Sequence, residues 1–451
     1  MNIIKTLVLL GILAVLAAYV YFYEIKGGEE REKEQAAAEK IIDFEPDSVQ
    51  QIDMRSVLNQ FVFDREGEGW RILKPVSTGA DKSAIDGMLS ALKNMKRVRQ
   101  FSIKENEKKD FGLVGRSALV IFEYKNGSRD TLRFGDETPV GGNVFVSRDD
   151  TLVYTVASYL KNNVTKSLFD WRNKSIAILK ESDVREFRLK NRKGDLHLTR
   201  EGADWRFLSP REVKADNISV NALLRKFENG KAKSIASETL QNPAQYKLSR
   251  PAYEIDLSLG ESKAKKKIIL SKLENNVSYV KDDSRPQVMT VDSLFIKDID
   301  KSFFDLRDKK IAQFDKDATD SVVVMQGDSV IFFSKDTSGA WLLGGMQKIY
   351  EWKMNSLLNS INNLQAEKYL QENVVSSRAY GLKNPERTVL CYSKGQVSQR
   401  LLLSTYQDQK IAACPLSKVI VAISDNSYRN FEVKPADYID KSQAEKAEGM
   451  N

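Results

Sequence analysis

The chain has 451 residues, 41% hydrophobic and 29% charged, which supplies apolar material for about three ordinary globular domains. Its net charge of +8 is the balance of 70 basic and 62 acidic side chains interspersed along the sequence. One dense basic run, Lys263, Lys265, Lys266 and Lys267, reads as a solvated strand end, and no basic stripe laced with aromatics accompanies it, so nucleic acid is not an expected partner.

Residues Thr6 to Tyr23 are 18 uncharged, mostly apolar residues bracketed by Lys5 and Glu24. A helix of that length rises roughly 27 Å, close to the hydrocarbon thickness of a bilayer. Ala17 and Ala18 could mark a signal cleavage site, but the apolar run continues through Tyr19, Val20, Tyr21, Phe22 and Tyr23. Bulky aromatics there suit an interfacial belt, so the reading is an uncleaved signal anchor over residues 1–24. No cysteine lies near it, which excludes a lipoprotein. The basic residues after the span, Lys26, Arg31 and Lys33, are mixed with four glutamates and do not fix the orientation. The very short N-terminal tail favours a body outside the cytoplasm, on a single-pass membrane anchor. Residues 25–40 are a polar, charged linker.

Beyond the linker one unit recurs three times. Trp70, Trp205 and Trp341 sit 135 and 136 residues apart. FDWRNKSI from Phe169 and FDLRDKKI from Phe304 are 135 apart. Phe111-Gly112-Leu113, Tyr246-Lys247-Leu248 and Tyr380-Gly381-Leu382 recur at 135 and 134. A period this long exceeds any solenoid repeat and gives each copy its own core. The reading is three tandem domains, 41–175, 176–310 and 311–440, with a polar, disordered tail over 441–451.

Within the first copy, strands are expected near Val49–Met54, Gln60–Asp64 and Gly69–Leu73. A helix runs from Asp81 to about Met95. Strands follow at Val98–Ile103, Ala118–Tyr124, Arg129–Phe134, Asn143–Ser147 and Leu152–Val156, with turns at Lys125-Asn126-Gly127 and Asp149-Asp150. A second helix covers about Ala157–Leu168. The first helix carries Ile85, Met88, Leu89 and Leu92 at i, i+3, i+4 and i+7. Val220, Leu223, Leu224 and Phe227 repeat those offsets, as do Met354, Leu357, Leu358 and Ile361. Short alternating strands with helices packed on them give an α+β fold. It comprises an N-terminal transmembrane helix followed by three repeats of a mostly antiparallel sheet unit.

The recurring residues are read as structural anchors. Trp70, Trp205 and Trp341 plug the core, and ligand stacking is the sharper alternative. Asp81 and Asp216 cap their helices, whereas the third copy has Glu351-Trp352 at that place. Gly112 and Gly381 allow a positive φ in a turn, and Lys247 in the second copy implies that this geometry is not strict. Cys391 and Cys414 fall on strands separated by a middle strand near Leu401–Thr405. Such strands lie about 9.5 Å apart, so the thiols are expected free and buried.

Chemical equipment is sparse. With His197 as the lone histidine, in an alternating Asp195-Leu196-His197-Leu198 strand, a histidine-based nucleophile is confined to one copy. No zinc-ligand spacing, P-loop or dinucleotide fingerprint occurs, so no metal or cofactor is expected. Carboxylate pairs suited to a glycosidase are inevitable by chance among 62 acidic residues.

Several elements in order carry a family likeness: the N-terminal span, a strand opening near Phe44–Ile52, Gly69–Pro75, Ala80-Asp81, Phe111–Leu113, and a Gly135-Asp136 turn before Val144-Phe145-Val146. In that order the sequence resembles the bacterial domain-of-unknown-function family 4340. The resemblance implies a membrane-anchored extracytoplasmic protein without established activity. Members are often encoded beside ABC-type transporter components of the kind linked to gliding motility. It supplies no catalytic residues. The expected function is therefore a non-catalytic accessory or scaffold, with the membrane and ABC transporter permease and ATPase subunits as partners. The alternatives are a ligand- or glycan-binding protein with one pocket recurring in all three copies, an envelope hydrolase, and an inert spacer.

Overall fold

The computed structural model describes residues 11–14, 16, 19–21 and 39–441, apart from 58, 116, 150 and 374–378. Most of residues 1–24, expected as an anchor, nearly all of the expected linker over 25–40 and the tail after 441 lie outside the described residues. Among the described residues no helix is long and apolar enough to cross a membrane.

Alternating polarity dictates the strands. In Ala118–Tyr124 every second residue is buried, the period of a sheet with one face on a core. The first repeat contains β1 (Val49–Arg55), β2 (Gln60–Glu66), β3 (Gly69–Lys74), β4 (Thr78–Gly79) and β5 (Arg99–Ser102). It continues with β6 (Ala118–Tyr124), β7 (Arg129–Glu137), β8 (Asn143–Ser147) and β9 (Leu152–Ala157). They form one sheet in the order β4-β3-β2-β1-β6-β7-β8-β9-β5. Helix α1 (Lys82–Lys93) connects β4 to β5 and buries Ile85, Met88, Leu89 and Leu92.

The second repeat contains β10 (Val184–Asn191), β11 (Gly194–Glu201), β12 (Asp204–Ser209) and β13 (Ser234–Ser237), then β14 (Tyr253–Leu259), β15 (Ala264–Leu270), β16 (Ser278–Asp282) and β17 (Val288–Val291). The third contains β18 (Ser321–Gln326), β19 (Ser329–Lys335), β20 (Trp341–Leu343), β21 (Gln347–Lys348) and β22 (Lys368–Glu372). It ends with β23 (Arg387–Ser393), β24 (Gln396–Tyr406), β25 (Gln409–Cys414) and β26 (Val419–Ala422). Their orders are β12-β11-β10-β14-β15-β16-β17-β13 and β21-β20-β19-β18-β23-β24-β25-β26-β22. The order is the same three times, except that the middle sheet replaces the fourth strand by a single Arg206–Lys214 bridge. The described strand pairs are antiparallel, as in β1–β2, β10–β11 and β18–β19.

Contacts group the chain into two compact units. One holds the first repeat with Phe227–Pro251 and Ile268–Ile296; the other holds Lys180–Lys226, Ala252–Lys267 and the third repeat.

Several local readings change. The second helix of the first repeat is two short ones, α2 (Tyr159–Val164) and α3 (Leu168–Trp171). Ser167 breaks them, because it starts a capping box in which its hydroxyl accepts from the Asp170 N–H while the Asp170 carboxylate accepts from the Ser167 N–H. Gly135-Asp136 is no turn; it lies inside β7 at a register shift between Phe134 and Glu137. Lys247 adopts φ +56, matching Gly112 at +65 and Gly381 at +70, so the geometry is kept where the glycine is not. Cys391 on β23 and Cys414 on β25 are separated by β24, and both thiols are free and buried. Burial pushes the Cys391 thiol up to about 12.

Candidate functional site

The three tryptophans are buried at the same place in their sheets, and each carries a cation over its ring. The indole Nε1–H of Trp70 donates to Asp86 Oδ1 at 3.3 Å, and that of Trp205 to Asn221 Oδ1 at 2.8 Å. A cation from the preceding strand lies over each ring: Arg65 over Trp70 at 4.4 Å, Arg200 over Trp205 at 5.4 Å, and Lys335 over Trp341 at 5.2 Å. Each cation is the Cα partner of its tryptophan in the ladder. Each also donates to a carbonyl in the turn before the first strand: Arg65 to Pro46 and Val49, Arg200 to Ser182, and Lys335 to Asp317. Trp70 and Trp205 are thus held both at the ring face and at the indole N–H.

Asp81 accepts from the Ala84 N–H, and Asp216 accepts from the Ile218 and Ser219 N–H groups, so both carboxylates cap helices. The second helix is α4 (Asn217–Asn229), followed in the same repeat by α5 (Ser293–Ile299) and α6 (Phe303–Leu306). The backbone N–H groups of Asp81, Asp216 and Tyr350 donate to the carbonyls of Trp171, Leu306 and Tyr438, each at 2.8 Å. Tyr350 precedes the third copy of the helix without a side-chain cap. The sequence-derived anchors are therefore structural, and they do not converge on a reactive centre.

The arrangement differs between repeats on the outer sheet faces, opposite the helices. Strand pairing puts equivalent residues in equivalent rows. In the first repeat one row is Val62, Asp53 and Ile121, and the next is Gln60, Arg55 and Leu119. In the second repeat the rows are His197, Arg188 and Asp256, then Asp195, Lys190 and Glu254. In the third they are Phe332, Val323 and Leu390, then Val330, Met325 and Thr388.

The middle face is a lattice of ion pairs. Arg188 meets Asp195 at 2.6 Å, Lys190 meets Glu254 at 3.5 Å, and Lys267 meets Glu254 at 2.9 Å. The Arg188 guanidinium holds the Asp195 carboxyl below its ordinary range, and Lys267 does the same for Glu254. The basic run opens β15, solvated as the sequence implied except at the buried Lys266, and it joins this lattice: Lys263 and Lys265 face Glu186 at 3.0 and 3.7 Å. His197 stands half-exposed among these charges.

On the third face most of these positions are apolar, Thr388 being the polar and buried exception. Val330 is 67% exposed and Phe332 42%, with Met325, Val397 and Leu416 also exposed. A shallow cavity of about 540 Å³ adjoins them, lined by Met325, Thr388, Leu390, Val397, Arg400, Pro415 and Leu416. The far half of this face is closed by its own small core, Leu402, Ile411, Ala413 and Ile420 under Leu382 and Tyr380. The apolar residues were visible in the sequence, but their facing and exposure depend on strand register.

A family profile described as Domain of unknown function (DUF4340) matches residues 70–207 and again 205–385. No curated protein matches the sequence. Among solved structures, a DNA polymerase sliding clamp from Pseudomonas aeruginosa with ligand is similar at 8% identity and TM-score 0.14, covering 86% of this chain and 96% of that one. The DNA polymerase III subunit beta from Pseudomonas aeruginosa gives 9% and 0.14 over 86% and 96%. The griselimycin-bound DnaN sliding clamp from that organism gives 9% and 0.11 over 86% and 95%. Scores this low carry no argument about fold or function. The repeated profile match spans most of the chain, which therefore belongs to the family described as Domain of unknown function (DUF4340).

Proposed function

We propose that this chain is a membrane-anchored, extracytoplasmic, non-catalytic accessory protein of an ABC-type transporter complex, and that it docks a partner through the outer face of its third sheet. The observation that carries the reading is internal to the molecule. Three homologous faces share one strand order; the second is neutralised by ion pairs, while the third presents Val330, Phe332 and Met325 to solvent. Exposing such a face costs solubility, and an exposed apolar patch of this kind marks an interaction surface. The uncharged stretch Thr6–Tyr23 would hold that face near membrane partners.

The test is site-specific photo-crosslinking of the full chain in its native membrane. A photoreactive residue at Phe332 is expected to capture a permease subunit, the part of such a complex that an extracytoplasmic face can reach, identified by mass spectrometry. Met325→Lys should abolish the capture, and the same probe at His197 should capture none. Absence of any transporter subunit in the Phe332 crosslinks would overturn the proposal.

A further inference from the structure

We propose that the groove between α7 (Glu351–Asn362) and α8 (Asp425–Arg429) of the third repeat binds an uncharged carbohydrate chain. This site is separate from the docking face and does not depend on it.

The argument starts from the face that α7 does not bury. Met354, Leu357, Leu358 and Ile361 go into the core. The remaining residues include Trp352, Asn355, Ser356 and Asn359, and together with Ser427 and Asn430 they line an open groove of about 550 Å³. That volume falls within the range of small-ligand sites. No charged side chain lines it. Asparagine and serine are poor helix formers, because their side chains compete for backbone hydrogen bonds.

The other repeats serve as controls. At the places of Ser356, Asn359 and Ser360 the first repeat has Gly87, Ser90 and Ala91, and the second has Ala222, Arg225 and Lys226. The corresponding groove in the second repeat holds about 250 Å³ and is lined by Lys226, Asp298, Lys301 and Asp305 among others. An ion pair between Lys226 and Asp298, at 2.7 Å, spans it. The two grooves overlap at two helix positions, Ser356 with Ala222 and Ser360 with Lys226, and differ in chemistry.

Trp352 is 62% exposed, while Trp70, Trp171, Trp205 and Trp341 are buried. Lys353 stacks over one side of its ring at 4.9 Å. The open indole is an apolar platform beside a row of carboxamides, each of which can donate and accept. Lys316 Nζ donates to Asn359 Oδ1, and Lys310 Nζ to Asn363 Oδ1, both at 3.1 Å. Those bonds occupy the amide oxygens and turn the NH2 groups to other partners. A flat C–H face flanked by hydroxyls that both donate and accept is the surface of a neutral sugar. The lining residues themselves carry no charge, and the lysines beside them, Lys310, Lys316 and Lys353, are engaged with Asn363, Asn359 and the Trp352 ring.

The full chain, kept in solution by a detergent without a sugar headgroup, is titrated with cellotetraose, chitotetraose and maltotetraose. Tryptophan emission is followed, since Trp352 is the exposed indole. At least one sugar is expected to give a saturable change, with a matching calorimetric isotherm. Trp352→Ala should remove the isotherm, and Asn355→Ala with Asn359→Ala should weaken it at least tenfold, while Ile218→Ala in the second repeat leaves it unchanged. Circular dichroism checks that each variant is folded. No isotherm with any of the three sugars, an isotherm that survives Trp352→Ala, or tighter binding of tetragalacturonate than of neutral sugars would overturn the proposal.

Discussion

Gly112, Lys247 and Gly381 occupy one turn position with φ between +56 and +70, yet the surroundings make them unequal. A Cβ at Gly112 would collide with the Asp136 carboxylate, whereas one at Gly381 would meet only Ser404 Oγ at 3.7 Å. Lys247 already carries the left-handed strain that a side chain suffers there, about 1–2 kcal/mol. Replacing it by glycine removes that strain but frees the unfolded chain by about 0.4–1 kcal/mol. Lys247→Gly should therefore leave stability unchanged or raise it by up to about 1.6 kcal/mol. Gly112→Ala should lose about 1–2 kcal/mol to left-handed strain, since the exposed Asp136 side chain can swing aside from the new Cβ. Urea unfolding of the three proteins checks the contrast. The sequence signalled the turn through two glycines, but whether the third position shared it depended on backbone angles that lysine adopts only under tertiary constraint.

Among the elements, the helix after the tryptophan strand was the most legible. Its apolar offsets, repeated three times, correspond to a buried stripe in α1 and α7, and Val220, Leu223, Leu224 and Phe227 of α4 are likewise buried. Periodicity also exposed the strands Ala118–Tyr124 and Asn143–Ser147, whose bounds match the observed β6 and β8. The partner of each tryptophan was less legible. Arg65, Arg200 and Lys335 stand five or six residues before their ring, a distance that gains meaning only once a hairpin folds the two strands together. The capping difference between helices gives a test at this scale. Asp216 accepts two backbone N–H bonds and Asp81 one, while Tyr350 provides no side-chain cap. Asp216→Ala should cost about 1 kcal/mol, and Tyr350→Asp should stabilise the third helix by a similar amount. Amide hydrogen exchange in the first turn of each helix is the direct readout.

For the whole molecule, the recurrent Phe-Asp-x-Arg element ties each repeat to the one that follows. Its aspartate closes a capping box, Ser167 with Asp170 and Ser302 with Asp305. Its arginine leaves the repeat: Arg172 donates to Glu238 at 2.6 Å, and Arg307 donates to Glu372 at 2.8 Å. The two junctions are not equally buried. Glu238 keeps 41% of its side chain in water, whereas Glu372 keeps 18%. Glu372 also accepts from Arg211, and Arg307 stacks on Tyr369 at 3.7 Å. Arg307→Ala should therefore cost about 3 kcal/mol, as expected for breaking a buried pair. Arg172→Ala should cost about 1 kcal/mol, because water screens its partner. Acid separates charge from packing. Burial alone would raise the Glu372 carboxyl, but the hydrogen bonds from Arg211 and Arg307 outweigh it and hold the group below its ordinary 4.5. A depressed native value stabilises the fold above the unfolded value, and that contribution fades as pH falls through the native one. The stability gap between the parent chain and Arg307→Ala should thus be constant near neutrality and narrow below about pH 4. Denaturant unfolding at pH 7, 5 and 3 reads this directly. A gap that stays constant to pH 3 would mean that Arg307 acts through its stacking on Tyr369 and not through the ion pair.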